Sequence, residues 1–350
     1  MAQRPRIVLD AMGGDFAPAS EVAGAIDALR QRRNEFEVIL VGREQEIHAQ
    51  LQRYDTEGLS YSVVNADEVI TMDDPPTAAL KQKKNSSLAV GMQLHKDGKA
   101  EAFASVGNTG AVLSASTLIL GRVKGVSRPT IAAFFPSEEG VCLVVDAGTN
   151  VDCRARHLYE FAVMGSLYAK KIFKYENPKV GLLNVGEEKK KGTEVVQEAY
   201  GLLERSHLNF IGNVEGRDIL KGKAQVVVCD GFVGNVVLKF GESVPSFLKS
   251  KLKQYASGSI IRKLLIGAAR GSLRASLRDM DYEEFGGIPV LGVNGVSIIG
   301  HGSSSPKAIK NMIFKAAEVA QSHLNTYIEE EMAMELKPIA PATPAEEGSS

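Results

Sequence analysis

Four glycine- or asparagine-rich turns constrain this chain most: DAMGGD (10–15), SVGNTG (105–110), NVGEEKKKG (184–192) and DGFVGN (230–235). Each stands where a short apolar run ends and a helix-like run begins. In an open α/β sheet, that junction is where ligands bind, at the carboxyl ends of the strands. A helix starting there offers unpaired N–H groups to an anion. Strand candidates are 6–10, 38–41, 61–64, 102–105, 131–135, 141–146, 180–184 and 225–229, several of them apolar throughout. Helical stretches are expected at 20–33, 77–96, 110–120, 154–170 and 193–206. This alternation predicts an α/β fold whose mainly parallel sheet is covered by helices on both faces. A hairpin is expected around Val293-Asn294-Gly295, because Asn-Gly favours a tight primed turn. A last helix is expected from Pro306 to Leu336, with Ile309, Met312, Ile313 and Ala316 on its buried face.

The chain has 350 residues and a net charge of −1. That length suits one large unit, expected over 1–338. The Pro/Ala/Ser-rich end, 339–350, reads as a disordered tail. Near-neutral charge implies no global field for a polyanion. The three cysteines, Cys142, Cys153 and Cys229, form no CxxC pair and no disulfide scaffold. The start of the chain enters a strand at once, without a signal-like apolar stretch, and no apolar run approaches a membrane span. The expectation is a bacterial-type cytoplasmic protein. No GxGxxG follows a strand, no HExxH is present and no GxSxG elbow occurs, so no cofactor and no metal are expected.

Residues 249–278 break the charge balance. They carry eight Lys or Arg, including Arg270, Arg274 and Arg278, and no Asp or Glu. On a helical wheel Ile260, Ile261, Leu264, Leu265 and Ala268 form one apolar stripe, and Ile266, Leu273 and Leu277 form another. Three readings fit: an amphipathic element on an anionic membrane, a dock for an acidic protein, and a basic hairpin at a subunit interface. Nucleic acid is disfavoured, because only Tyr255 is interleaved among the charges.

Within the turns, Gly13 and Gly14 allow close backbone approach to a ligand. Asp10 and Asp15 can bind a hydroxyl or cation, or cap a helix. Asn108, Thr109 and Gly110 form a candidate anion nest. Among the three lysines after Asn184, Lys191 is the first candidate to reach a phosphate or oxyanion, with Lys190 next. Asn235 is expected to open a helix and can donate its amide or cap. His301 is a candidate acid or base among glycines. Lys81, Lys83 and Lys84 with Ser86 and Ser87 form a second basic patch, read mostly as a solvated face.

Taken together, IVLDAMGGD, SVGNTGA, VVDAGTN, LLNVGEEKKKG, DGFVGNVVLK and GVNGVSIIGHGSS resemble the bacterial phosphate acyltransferases of phospholipid synthesis. The resemblance spans about residues 5–335, with the six motifs in order. It implies transfer of a long fatty acyl chain from acyl carrier protein to inorganic phosphate, with no covalent acyl-enzyme. It further implies an isocitrate/isopropylmalate dehydrogenase-like fold without nucleotide or metal, a homodimer, and peripheral association with the inner face of the cell membrane. It also implies a downstream glycerol-3-phosphate acyltransferase that uses the acyl phosphate. Against that background Lys191, Asn235, His301 and Asp10 are expected to be catalytic or orienting, and Gly13, Gly14, Asn108, Thr109 and Gly110 to receive phosphate. Ile261, Leu264, Leu265, Arg270, Arg274 and Arg278 are expected to meet membrane or carrier protein.

Overall fold

A computed structural model describes residues 4–276, 280 and 282–335. Its strands are β1 (Arg6–Asp10), β2 (Glu37–Gly42), β3 (Tyr61–Asn65), β4 (Ala102–Ser105), β5 (Thr130–Ser137), β6 (Gly140–Val145), β7 (Val180–Leu183), β8 (Phe210–Val214), β9 (Val226–Val228), β10 (Ile288–Leu291) and β11 (Ser297–Ile299). They form one sheet in the order β3-β2-β1-β4-β11-β10-β5-β6-β9-β7-β8. Along β1, Ile7 and Leu9 join the core on one face of the sheet and Val8 joins the core on the other. Strands buried on both faces need apolar side chains at every position, which is why their sequences read as continuous apolar runs.

The sheet has two parallel halves, joined through antiparallel contacts β11/β10, β10/β5 and β5/β6. Three reversals make the halves run oppositely. Six neighbour steps separate β1 from β9. At roughly 20–25° of twist per step, the accumulated rotation is roughly 120–150°. A rotation of that size turns the carboxyl ends of β6 and β9 back toward those of β1 and β4.

Most of the expected elements are present within a residue or two, and the departures have local causes. The expected 77–96 helix is two helices, Pro76–Gln82 and Ser87–Lys96. The second begins where Ser86 accepts the Ala89 N–H (3.3 Å) and itself donates to the Lys83 carbonyl (2.7 Å). Lys83 bonds to Asp74 and to the Val69 carbonyl, so one lysine of that basic patch is structural. The last helix likewise divides into Pro306–Gln321 and Leu324–Glu335, with His323 at φ 52° between them. The 110–120 stretch is helical from Thr109, and its last turn, Ser116–Leu120, widens to π geometry. Helices Glu44–Leu51 and Gly216–Lys221 and strand β8 were not foreseen; β8 is a sheet edge, interrupted by Gly212 at φ 92° and a register shift against β7. The expected tail, 339–350, lies outside the described residues.

The helix Gly231–Ser257 depends on contact between backbones. Asp230 caps it by accepting the Val233 N–H (2.9 Å), so Asn235 lies one turn inside the helix instead of opening it. Its first turn sits against the 146–150 loop: Gly231 N–H donates to the Asn150 carbonyl (2.7 Å). A Cβ on Gly231 would lie 2.6 Å from Asn150 N, and one on Gly234 1.7 Å from the Asp146 carbonyl oxygen. Replacing Gly234 with alanine must push helix and loop apart, an overpacking cost of roughly 1–3 kcal/mol. Gly234→Ala is therefore expected to lower the thermal unfolding midpoint by several degrees, read by calorimetry; an unchanged midpoint would refute this account of the contact.

Candidate active site

The double glycine after β1 lies directly on two buried carboxyl groups. Asp10 accepts the Ser105 hydroxyl (2.8 Å) and the Met12 N–H (3.1 Å), and a Cβ on Gly13 would lie 2.8 Å from its Oδ2. Burial raises the Asp10 pKa, partly offset by hydrogen bonds from Ser87, Ser105 and Met12. Under Gly14 is Glu21, from the first turn of the helix Ala19–Gln31. A Cβ on Gly14 would lie 2.4 Å from Glu21 Oε1. The turn also touches the next loop, since a Gly13 Cβ would approach Gly107 N to 2.8 Å. Asp15 N–H donates to the Gly302 carbonyl (2.8 Å), which ties in the loop after β11. Neither Gly13 nor Gly14 can carry a side chain here without displacing the neighbouring loop or carboxyl group.

The 105–110 loop is held from the other side. Asn108 is the N-cap of the helix Thr109–Ala115: its Oδ1 accepts the Ala111 N–H (3.1 Å). Its Nδ2 donates to the carbonyls of Thr71, Met72 and Asp74 at 3.1–3.2 Å. The amide is thus occupied by the protein, and only the loop's backbone and Thr109 remain to meet a ligand. Gly110 packs on Pro76, where a Cβ would lie 2.7 Å from Cγ.

After β6, Asp146 builds a second loop. Its carboxylate accepts the N–H groups of Gly148, Thr149 and Asn150 and the Asn150 side-chain amide, at 2.6–3.1 Å. Gly148, at φ 136°, leaves room for Asn235, whose Oδ1 would be 3.3 Å from a Cβ at that position. Asp146 and Glu21 are the site-building residues that sequence reasoning did not single out. The signal for Asp146 was an Asp ending an apolar strand before Gly-Thr-Asn, the same grammar as Asp10.

A cavity of about 2370 Å³ connects these pieces. Asp15, Gly107, Thr109 and the His301–Gly302 loop line it from one half of the sheet, Gly148 and Asn235 from the other. Between and beyond them the lining is mainly apolar and includes Ile131, Ala133 and Phe135 of β5 with Leu238 and Ile266. His301 is exposed; its Nδ1 accepts the Ser303 N–H (3.2 Å) and lies 2.8 Å from the Ser303 hydroxyl. Asp10 lies below the lining. Lys191 is also outside it: its side chain is about half exposed and its ammonium lies 4.0 Å from Glu188. Its loop is nonetheless closely built, because Asn184 donates to the Lys191 carbonyl (3.0 Å) and Gly192 sits at φ 86° against Asn184.

The two helices Gly231–Ser257 and Ile260–Ser276 pack on each other over this cavity. Half-buried Ile266 and Leu273 line it. The other stripe faces outward: Ile261, Leu264 and Leu265 are 70%, 68% and 65% exposed. Lys249, Lys253, Lys263 and Arg270 also border the cavity. Arg274 belongs to the second helix, and Leu277 and Arg278 lie outside the described residues. Among the described residues no helix is long and apolar enough to cross a membrane, and no group of three or more His, Cys, Asp or Glu could hold a metal ion. Burial raises the thiol pKa values of Cys142 and Cys153 to about 12, and that of Cys229 also upward, which leaves these thiols un-ionised near neutral pH.

Comparison with known proteins gives the site its family. Residues 5–326 match the family described as "Fatty acid synthesis protein". A phosphate acyltransferase of Chlorobaculum parvum is 48% identical over 331 residues, covering 92% of this chain and 97% of that protein. One from Pelotomaculum thermopropionicum is 49% identical over 319 residues, covering 91% and 92%. Among solved structures, a phosphotransacetylase from Streptococcus pyogenes superposes with a TM-score of 0.61 at 18% identity, covering 92% of this chain and 95% of that one. EutD phosphotransacetylase from Staphylococcus aureus gives 0.59 at 17%, covering 91% and 94%. At those identities the likeness is one of fold. The chain belongs to the fatty acid synthesis protein family and is one of its phosphate acyltransferases.

Proposed function

We propose that this enzyme transfers a long-chain acyl group from acyl carrier protein to inorganic phosphate, releasing acyl phosphate and free carrier protein. The observation that carries the reading is the two-part cavity: a polar end made of glycine loops, continuous with an apolar chamber beneath the helix pair. An anion fits the first part and a hydrocarbon chain the second. A short acyl donor such as an acetyl thioester would leave the chamber unused.

In the proposed reaction an oxygen of hydrogen phosphate attacks the thioester carbonyl carbon and a C–O bond forms. The tetrahedral oxyanion collapses, the C–S bond breaks, and the carrier thiolate leaves. The proton carried by hydrogen phosphate ends on that thiol. Phosphate is already a nucleophilic anion, so the enzyme's main task is to hold it and to stabilise the oxyanion, where one well-aimed donor contributes roughly 3 kcal/mol. We assign phosphate capture to the Gly13–Gly14 and Thr109–Gly110 backbone, with Asn108 holding that loop in shape. The Asn235 amide is assigned to the oxyanion, His301 to the rim of the polar end, and Asp10 to orientation of the turn from below. Lys191 is assigned to recruiting phosphate from the loop after β7.

The basic, outward-facing apolar helix pair supports two contacts: an anionic membrane surface on the cytoplasmic side, and the acidic carrier protein. Each basic residue near such a surface contributes roughly 1 kcal/mol. A homodimer and a downstream glycerol-3-phosphate acyltransferase that takes the membrane-delivered product complete this reading.

Purified protein incubated with long-chain acyl carrier protein and phosphate, in chelator, is expected to form acyl phosphate that hydroxylamine traps. Turnover with acetyl-coenzyme A but not with the acyl carrier protein would replace this reading with a short-chain one. Lys191→Ala is expected to raise the phosphate KM by roughly two- to threefold, the scale of one exposed steering charge, and less at high salt. An unchanged KM in the folded variant would remove Lys191 from phosphate binding. The triple variant Ile261→Ser/Leu264→Ser/Leu265→Ser is expected to lose flotation with anionic vesicles while keeping turnover of soluble acyl carrier protein. Retained flotation would take these side chains out of membrane contact.

A further inference from the structure

Glu21 is a buried ionisable group that the proposed function leaves without a task. It is 1% exposed, and neither carboxylate oxygen has a hydrogen-bond partner among the described residues. Its Oε1 lies directly beneath Gly14, whose neighbour Asp15 lines the polar end of the cavity. From sequence, an acid in the first turn of a helix reads as a solvated partner of the helix dipole. In the fold, the turn at Gly14 lies over it, and Gly302 of the 300–305 loop lies beside that turn.

The charged groups that act on it are acidic. Asp10 comes from the end of β1 and Asp15 from the turn, and both oppose its ionisation. The helix Pro306–Gln321 approaches the same helix at Gly24 with Ile309 and the Pro306 carbonyl. On the 300–305 loop the titratable group is His301, whose Nδ1 is turned to Ser303. The N–H of Glu21 itself and, more weakly, that of Gly14 lie near enough to favour the anion, but outside hydrogen-bond geometry, and they offset only part of the cost of burial. A buried carboxyl with acidic neighbours and no partnered donor is more stable neutral than ionised.

We propose that Glu21 is a proton-holding positioning residue: its neutral carboxyl supports the Gly13–Gly14 turn in the shape that receives phosphate, and its ionisation sets a second negative charge under that turn and weakens phosphate capture. The inference rests on the assignment of that turn to phosphate. Burial, the largest cause, with Asp10 and Asp15 adding to it, raises the Glu21 pKa to about 7, so the change falls within the working range of a cytoplasmic enzyme. The same shift makes a statement about stability. The folded pKa lies above the unfolded one, so the folded state holds the proton more tightly. The associated stability is complete below about 4.5, the unfolded value, and is lost as pH rises toward about 7.

Two measurements test this. The phosphate KM of wild type and of Glu21→Gln is determined from pH 6 to 8.5 at saturating acyl donor, and the ratio of wild type to variant cancels phosphate's own ionisation. The ratio is expected to rise by roughly tenfold across that range, the scale of one buried charge at short distance. A ratio independent of pH overturns the proposal, because a merely structural side chain would shift both curves together. Independently of turnover, the unfolding midpoint of Glu21→Gln minus that of wild type is expected to be larger at pH 8 than at pH 4.5. Parallel midpoints also overturn it. Glu21→Met, non-ionisable and of similar length, serves for both measurements if the glutamine variant does not fold. Wild type with no phosphate-dependent turnover would refute the assignment of the turn, while the stability measurement would still decide whether Glu21 holds a proton.

Discussion

Close backbone approach at the strand ends is the constraint on which the rest of this structure depends. The turn after β1 rests on Gly107 and on two carboxyl groups, and the helix Gly231–Ser257 meets the 146–150 loop through Gly231 and Gly234. Neither contact tolerates a Cβ. Because the backbones come this near, loops from both halves of the sheet border one cavity, and Asn235 lies in the space that Gly148 leaves. Widening either contact would move the loops that border the polar end of the cavity apart.

The electrostatics of the site divide into layers. Deep under the turns are carboxyl groups: Asp10 and Glu21, whose pKa values burial raises, and Asp146, whose charge four hydrogen bonds compensate. Above them the glycine loops border the cavity, and cationic side chains border its apolar part. In the proposed function an anion would be held by dipoles that are already oriented, which costs little reorganisation. The acidic layer beneath lies against the glycine loops, at Asp10 and Gly13, Glu21 and Gly14, and Asp146 and Gly148.

Much of the architecture was legible because burial on both sheet faces imposes apolar residues on a short stretch, and glycine or Asn/Asp must follow where the chain turns. Strands β1 and β4 were read to the residue, and the hairpin around Asn294 was found from its turn alone. The edge strand β8 was missed, since its glycine at φ 92° interrupts any periodic signal. In the basic segment the two apolar stripes were legible from a helical wheel, but the wheel could not say which of them the second helix would turn inward.

Single side chains were less legible than loops. Asn108 was correctly read as lying at a helix start, yet its amide is occupied by three carbonyls from residues 71–74, more than thirty positions away. Glu21 carries no local signal that sets it apart from other first-turn acids, because what lies over it is the Gly14 turn outside its own helix. By itself the sequence determined the α/β class, the strand-end loops, the anion-directed chemistry and the basic segment, because each leaves a local signature in residue type and period. Only the tertiary structure decided which strands run antiparallel, which loops share a cavity, and which carboxyl groups lose water, because orientation and desolvation arise from contacts between residues far apart in the chain.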